Sequence, residues 1–457
     1  MFNTDMNPNV NTSLDGVVQV SPVNRFMKSL PFIAIAVGIV ALVTVGAVLL
    51  LQNRTYPDAS SQGTTSEIIY WGWNTDQEVM NELISEFETA NPDIKVTYEK
   101  KAFDEYHEIL KARLESGDAE VTPDVFEVDN EYIQTMYPQL STSSPVDVPE
   151  MNQRFFPGGS KVCVQGGSVL CYPLNFDGLV MIYNAEALTL VGKEAIPDGW
   201  SDFKLWANQL TDKRLVENNG QEQWVIYSPG AAIGTGLNVS HPDMLLWLMM
   251  MQNEVPLDAV GEWEAMAETN GIAAAELYIS FYEERIWDKS FSSDIGMFLS
   301  GRTPVIFGTV ADIETILAAD PAFTVVSVPP PQIDEVKNIT HFQAVAVANS
   351  SPSEGAAWKW AEYLSSSEVQ QKVLEAGVAG RTAIKLPSRR DLQREIAEVP
   401  GMSGLSAIFL TSFPVFFPDY EIMSADTIAA IEAMILEERP LEPVTALEEL
   451  VEGLQFL

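Results

Sequence analysis

Beyond residue 66 the chain alternates between short apolar runs and longer stretches whose apolar residues return at helical spacing. EIIYWGW, residues 67–73, is rich in β-branched and aromatic side chains, as a buried strand is, and NTD breaks it. Glu78 to Ala90 then repeats apolar residues at Val79, Leu83, Ile84 and Phe87, which line one face of a helix. Asn91-Pro92 stops that helix, because the residue before a proline is pushed out of the α region, and DIKVTYEK supplies the next strand. Phe103 to Ser116 reads as a second helix ended by Gly117, and TPDVFEV as a third strand. This alternation predicts a doubly wound α/β lobe.

The pattern continues less regularly. GLVMIYN predicts a strand, and a helix starting near Asp198 places Trp200, Phe203, Trp206 and Leu210 on one face. Further helices are expected at Met244 to Gln252, Trp263 to Met266, Ile272 to Glu284 and Ile295 to Leu299. TPVIFG, FTVVSVP and FQAVAVA read as strands, followed by helices at Ser353 to Leu364 and Glu368 to Ala376. The last two helices are expected at Asp426 to Glu437 and Thr445 to Leu454. No internal repeat is visible.

The N-terminal end has another pattern. Pro31 to Leu51 is 21 residues without a charge, and at a rise of ~1.5 Å per residue it spans roughly 30 Å, the thickness of a bilayer's hydrocarbon core. A cleaved signal peptide has a shorter apolar stretch and a small-x-small site behind it, which QNRTYPDASS does not offer. We therefore expect a single transmembrane helix over residues 30–51. Arg25 and Lys28 precede it and Arg54 follows, a basic bias that places the N-terminus in the cytoplasm and the rest outside. Residues 1–29 read as a disordered cytoplasmic tail and residues 52–66 as a flexible spacer.

Charge narrows the partners. The formal net charge is −38, and residues 1–29 hold two acids and two bases, so the whole excess lies after the apolar run. Such a surface repels polyanions and excludes nucleic acid as a partner. Some 400 residues follow the run, roughly two domains or lobes. Cys163 and Cys171 flank a Gly166-Gly167 turn, an arrangement that predicts a hairpin with the two thiols symmetric about position 167. A disulfide there suits an oxidising compartment, the alternative being two free thiols.

The chain carries no recognisable catalytic motif. His107, His241 and His341 are scattered, HExxH is absent, and there is no Walker A motif, GxGxxG or GxSxG. We expect no metal and no cofactor. Gly234-Thr235-Gly236 is too short for a phosphate loop. Sixty-four carboxylates leave a glycosidase-like pair open without marking one out.

The order of segments nevertheless resembles extracellular solute-binding protein family 1, the receptors of ABC importers that include the maltose-binding protein. EFETANPDIKVTYE is similar to the family's opening helix and strand, and Gly117 to Val125 to its G-x-x-PD step. YPLNFDGLVMIYNAEAL, Tyr172 to Leu188, resembles its most characteristic stretch, and Pro197-Asp198-Gly199-Trp200 follows at the expected distance. FLSGRTPVIFG and AVANSSPSEGAAWKWAEYLSSSEVQQKV continue the likeness, which covers residues 67 to about 455. One departure stands out: where several members have Gly-x-Trp, this chain reads Gly308-Thr309-Val310.

The resemblance implies a periplasmic-binding-protein-like α/β fold of two lobes, 67–176 with 340–386 and 177–339 with 387–457, joined by a hinge. Crossing strands are expected near Leu174 to Leu179, Asn338 to Phe342 and Ile384 to Arg390. Ligands of open α/β sheets sit at the carboxyl ends of strands. That puts Trp73, Asn74, Asp76, Asp129, Asn130, Glu131, Asn175 and Asp177 on the ligand, with Thr235, Thr309 and Tyr420 closing the other side. Trp71, Trp206, Trp247, Trp358 and Trp360 read as core. The function implied is a non-enzymatic, monomeric, membrane-anchored receptor handing a small solute, foremost a sugar or oligosaccharide, to an ABC permease. A tethered sensor or scaffold and a secreted hydrolase are the rival readings.

Overall fold

In the five-stranded sheet that opens the folded part, Ile94–Lys100, Ser66–Gly72, Val125–Asp129, Gln343–Val347 and Cys171–Pro173 lie side by side in that order. The computed structural model that shows this describes residues 65–454, apart from 194, 219, 334–335 and 437–438. The expected membrane helix and the tail before it lie outside the described residues, as does nearly all of the spacer. Among the described residues no helix is long and apolar enough to cross a membrane.

The first three strands pair in parallel, as strand–helix alternation requires. Ile68 and Tyr70 are buried from one face, and Trp71 is buried under the ammonium of Lys101, 3.9 Å from the ring centroid. The helix Gln77–Ala90 buries Val79, Met80, Leu83 and Phe87. The doubly wound expectation needs correction, because Gln343–Val347 runs antiparallel to both of its neighbours and makes the sheet mixed. Gln343 pairs with Asp129, so this strand begins where Val125–Asp129 ends and has to run back along it.

A second, three-stranded sheet has Val180–Asn184 between Val305–Gly308 and Val325–Val328, all antiparallel. Around it lie the helices of the later sequence. Pro242–Gln252 is buried along its whole length, which fits a helix that is apolar on every side. A third sheet, ordered Leu386–Pro387, Asn175–Gly178, Asn338–His341, Ser412–Phe413, links the other two. Leu174 and Leu179 are single-residue joints along 171–184, and Phe342 is the joint on the way back. The three segments expected to cross between sheets therefore pair with one another.

Three local differences have physical reasons. The helix expected from Phe103 starts at Tyr106, leaving Phe103 exposed. The helix expected from Asp426 starts at Tyr420, because Asp419 caps it by accepting from the Ile422 amide at 3.0 Å. An antiparallel pair, Asp212–Asn218 with Gln221–Ser228, was not expected. Its Leu215, Trp224 and Tyr227 are exposed, so no inward face left a period in the sequence.

Cys163 and Cys171 are joined in a disulfide with Cα atoms 4.9 Å apart. Gly166 and Gly167 turn the hairpin with φ of 59° and 82°, values that suit glycine. Val164 pairs with Val169 and Gln165 with Ser168, so the centre of symmetry falls between the two glycines. Cys163 consequently faces Leu170, whose amide donates to the Cys163 carbonyl, and the disulfide reaches one residue further along.

Candidate ligand-binding cleft

The carboxyl end of Val125–Asp129 delivers three acids in five residues: Glu127, Asp129 and Glu131. Alternation along the strand puts Glu127 and Asp129 on one side, and both are buried. Glu127 is fully employed. Its carboxylate accepts from the Tyr70 hydroxyl at 2.8 Å and from the amides of Trp73 at 3.2 Å and Asn74 at 3.4 Å. It therefore shapes the loop that carries two of the expected ligand residues. Gly72 makes room for it, since a Cβ there would lie 2.8 Å from the Glu127 carboxyl carbon.

Asp129 and Glu131 are half-employed. His107 Nε2 stands 3.3 Å from Asp129 Oδ2, and His341 Nε2 stands 3.0 Å from Glu131 Oε1. Asp129 Oδ1, Glu131 Oε2 and His107 Nε2 itself are buried without a hydrogen-bond partner, so His107 approaches Asp129 without bonding it. Burial, and for Asp129 also the neighbouring Glu131 charge, disfavours ionisation and pushes Asp129 up to about 7 and Glu131 to about 8. Burial and the nearby His341 push His107 down to about 4, so its imidazole is neutral and offers Asp129 little compensation.

Aromatic rings surround this pair. His107 stacks on Tyr132 with centroids 4.0 Å apart, and Trp73 packs against Tyr106 at 4.5 Å and His107 at 5.3 Å. Tyr132 reaches across to donate to Glu421 at 3.0 Å. Tyr420, on the first turn of its helix, meets Trp247 at 5.5 Å. Burial, then the charges of Glu131, Asp243 and Asp129, raise its hydroxyl well above the usual tyrosine range. Tyr420 thus lies within electrostatic reach of Glu131 and Asp129 at the end of the first sheet and of Asp243 on the helix behind it.

On the second-sheet side, Asp177 Oδ1 accepts from the amides of Gly178 at 2.6 Å and Val310 at 3.1 Å. Burial still raises it to about 6 against those bonds. Asp312 accepts from the Thr309 amide at 2.8 Å and hydroxyl at 3.2 Å, and its Oδ2 lies 2.7 Å from His241 Nε2. Burial lowers the pKa of His241, but the Asp312 contact outweighs it and the net shift is upward. His241 sits at φ 52° ahead of Pro242, an uncommon conformation for a residue other than glycine.

The expected ligand residues thus sort into three groups. Trp73, Asp129, Glu131, Asp177 and Tyr420 come together around the cleft. Asn74 and Asn175 belong to its floor, where both side-chain amides donate to Gln343 Oε1, the first at 2.8 Å, and Asn175 Oδ1 accepts from the Gln343 amide at 2.7 Å. The others have their polar atoms committed elsewhere. Asp76 caps Gln77–Ala90 through the Glu78 amide at 3.0 Å, and Asn130 Oδ1 accepts from the Phe342 amide at 2.7 Å. Thr309 is bound into the Asp312 cap. Thr235 is wholly buried, its hydroxyl 2.5 Å from Asn238 Oδ1, and does not face the cleft.

Sequence reasoning passed over Gln343, Asp243 and the three histidines as a group. No motif links them: each histidine is paired with an acid distant in sequence, and only the sheets bring them together. The described residues contain no group of three or more His, Cys, Asp or Glu able to hold a metal ion. A surface depression lined by Gln77, Asn81, Glu88 and Lys95 includes none of the cleft residues.

Two sheets bridged by a third, with aromatic and acidic side chains meeting at the bridge, define a two-lobed binding protein of the periplasmic type. The family model for bacterial extracellular solute-binding proteins matches residues 82–391, and the chain belongs to that family. Among solved structures it is similar to a cyclo/maltodextrin-binding protein complexed with maltotetraose, at 15% identity and TM-score 0.70 over 87% of this chain and 98% of that one. The sugar-binding protein MalE from the phytopathogen Xanthomonas citri matches at 17% identity and TM-score 0.71, covering 86% and 97%. UgpB from Mycobacterium tuberculosis in complex with glycerophosphocholine matches at 16% and 0.61, covering 87% and 98%. No curated protein matches by sequence.

Proposed function

We propose that this chain is the membrane-anchored receptor of an ABC importer, binding a small hydroxylated solute, foremost a sugar or short oligosaccharide, and passing it to a permease in the same membrane. The observation that carries the reading is the cleft wall itself. Trp73, Tyr132 and Tyr420 offer ring faces beside Asp129 and Glu131, whose unpartnered oxygens are acceptors awaiting donors. Two of the similar structures hold or are named for sugars. The lobes are 67–176 with 340–386 and 177–339 with 387–457, and the linking sheet is their hinge. Solute shifts the hinge by binding the closed arrangement more tightly than the open one.

The protein acts as a monomer and by binding alone. Pro31 to Leu51 is its anchor, and the spacer behind it, with an r.m.s. reach of about 20 Å, keeps the cleft near the permease. A thermal-shift screen of the full chain in detergent against saccharides, polyols and amino compounds tests the reading. Saturable stabilisation by a small solute supports it, and turnover of a saccharide would replace it with the hydrolase reading.

A further inference from the structure

Resting on that reading, we propose that the solute this cleft selects carries a protonated amine, as an amino sugar does, and that Asp129 and Glu131 bind the ammonium. Two buried carboxyls two residues apart, the charge of Glu131 adding to what burial already costs Asp129, are an expensive way to bind a neutral hydroxyl. A neutral donor satisfies an oxygen but brings no charge that would let a buried acid ionise, whereas an ammonium supplies both the donor and the counter-charge. The unpartnered oxygens, Asp129 Oδ1 and Glu131 Oε2, belong to side chains only 5% and 6% exposed.

The surroundings reinforce the choice. Across the cleft, Asp243 adds its charge to the face of Tyr420, and Glu421 meets Tyr132. The bases facing these acids are His107, His341, His241 and Lys385. His107 is neutral at pH 7 for the reason given above, and His241 is engaged by Asp312. The one Lys385 ammonium, which donates to Thr75 Oγ1 at 2.9 Å, is shared between the charges of Glu127 and Asp129 and does not have Glu131 among its partners. His341 Nε2 lies 3.0 Å from Glu131 Oε1 and is partly exposed. The rings of Trp73 and Tyr132, gathered about His107, and of Tyr420 lie among these acids, where an aromatic quadrupole favours an ammonium over a neutral hydroxyl.

An empty cleft with Asp129 at about 7 and Glu131 at about 8 retains protons at neutral pH, so an entering ammonium displaces them. Calorimetric titration of the full chain in detergent compares glucosamine disaccharide with its N-acetylated counterpart and with maltose. We expect the free amine to bind at least tenfold more tightly, with a heat that depends on the buffer's ionisation enthalpy because protons are released. Glu131→Gln and Asp129→Asn should each erase that preference while the thermal melt shows the fold retained. Equal or tighter binding of the neutral saccharides overturns the amine inference and leaves the solute-receptor reading standing. Failure of all three probes, and of every solute in the thermal-shift screen, overturns the receptor reading itself.

Discussion

The two sides of the cleft hold similar residues and use them differently. On the second-sheet side, Asp177 and Asp312 each gather several donors on one oxygen: Asp177 Oδ1 takes the Gly178 and Val310 amides, and Asp312 Oδ2 the Thr309 amide and hydroxyl and His241. On the first-sheet side, Asp129 and Glu131 each hold one oxygen against a histidine and keep the other unpartnered. An acid that satisfies backbone donors contributes to the fold, and its pairing is visible in the empty protein. An acid buried with an idle oxygen costs stability, and such a cost persists where the missing partner arrives from outside. On the proposed reading, the contrast separates acids that build the cleft from acids placed to meet a solute.

The largest expected effect comes from breaking the built side. Asp312→Ala leaves the Thr309 amide and His241 without their acceptor and should lower unfolding free energy by about 3 kcal/mol. Urea unfolding followed by tryptophan fluorescence measures it, and a loss well under 1 kcal/mol would show that the network is dispensable. Next comes the disulfide, which closes a loop of Cys163 to Cys171. Replacing both cysteines by alanine should cost about 2 kcal/mol on chain-entropy grounds. It lies on neither wall, so the solute preference should not change.

The reading side should respond in the opposite direction. Glu131→Gln and Asp129→Asn remove a buried ionisable group with an unpartnered oxygen, and each should raise the stability of the empty protein at pH 8 by about 1 kcal/mol. A loss of stability comparable to that of Asp312→Ala would erase the distinction between the two sides.

The pH dependence has a definite sign. Asp177, Asp129 and Glu131 have folded values of about 6, 7 and 8, all above their unfolded ones. The folded state therefore binds more protons than the unfolded chain, and stability falls as pH rises from about 5 to about 8. His107, lowered to about 4, works the other way, losing stability as pH falls below its unfolded value of 6.5. Three groups outweigh one, so the melting temperature of the empty protein should be higher at pH 6 than at pH 8, and the Glu131→Gln variant should flatten that slope. The smallest change expected is Tyr132→Phe. It removes one exposed bond to Glu421 and should cost under about 1 kcal/mol in stability, with any larger effect confined to solute affinity through the closed state.

Much of the fold was legible because its elements carry strong periods. The strands Ser66–Gly72, Ile94–Lys100 and Val125–Asp129 and the helix Gln77–Ala90 lie where alternation and helical spacing placed them. The exposed hairpin Asp212–Asn218 with Gln221–Ser228 was illegible for the same reason, having no buried face. Tyr420 lies ahead of the helix expected from Asp426, and it is helical because Asp419 caps the turn that begins there. Within the cleft, the positions after strand ends could be read, since topology dictates where such loops point. Thr235 could not be distinguished from a cleft residue, because a Gly-Thr-Gly run looks alike on a surface and inside a core.

What the sequence determined by itself was local: which segments are strands and helices, the hairpin that holds Cys163 and Cys171, and the acidity of the part after the apolar run. Residue order also placed Asp129 and Glu131 two apart at a strand end. Only the tertiary structure decided which acids are satisfied. His107 meets Asp129, His341 meets Glu131 and His241 meets Asp312 across separations of 22 to more than 200 positions. Hydrogen bonds depend on distances of a fraction of an ångström between groups that separate elements deliver. Such distances are fixed when the sheets pack, and no spacing along the chain records them.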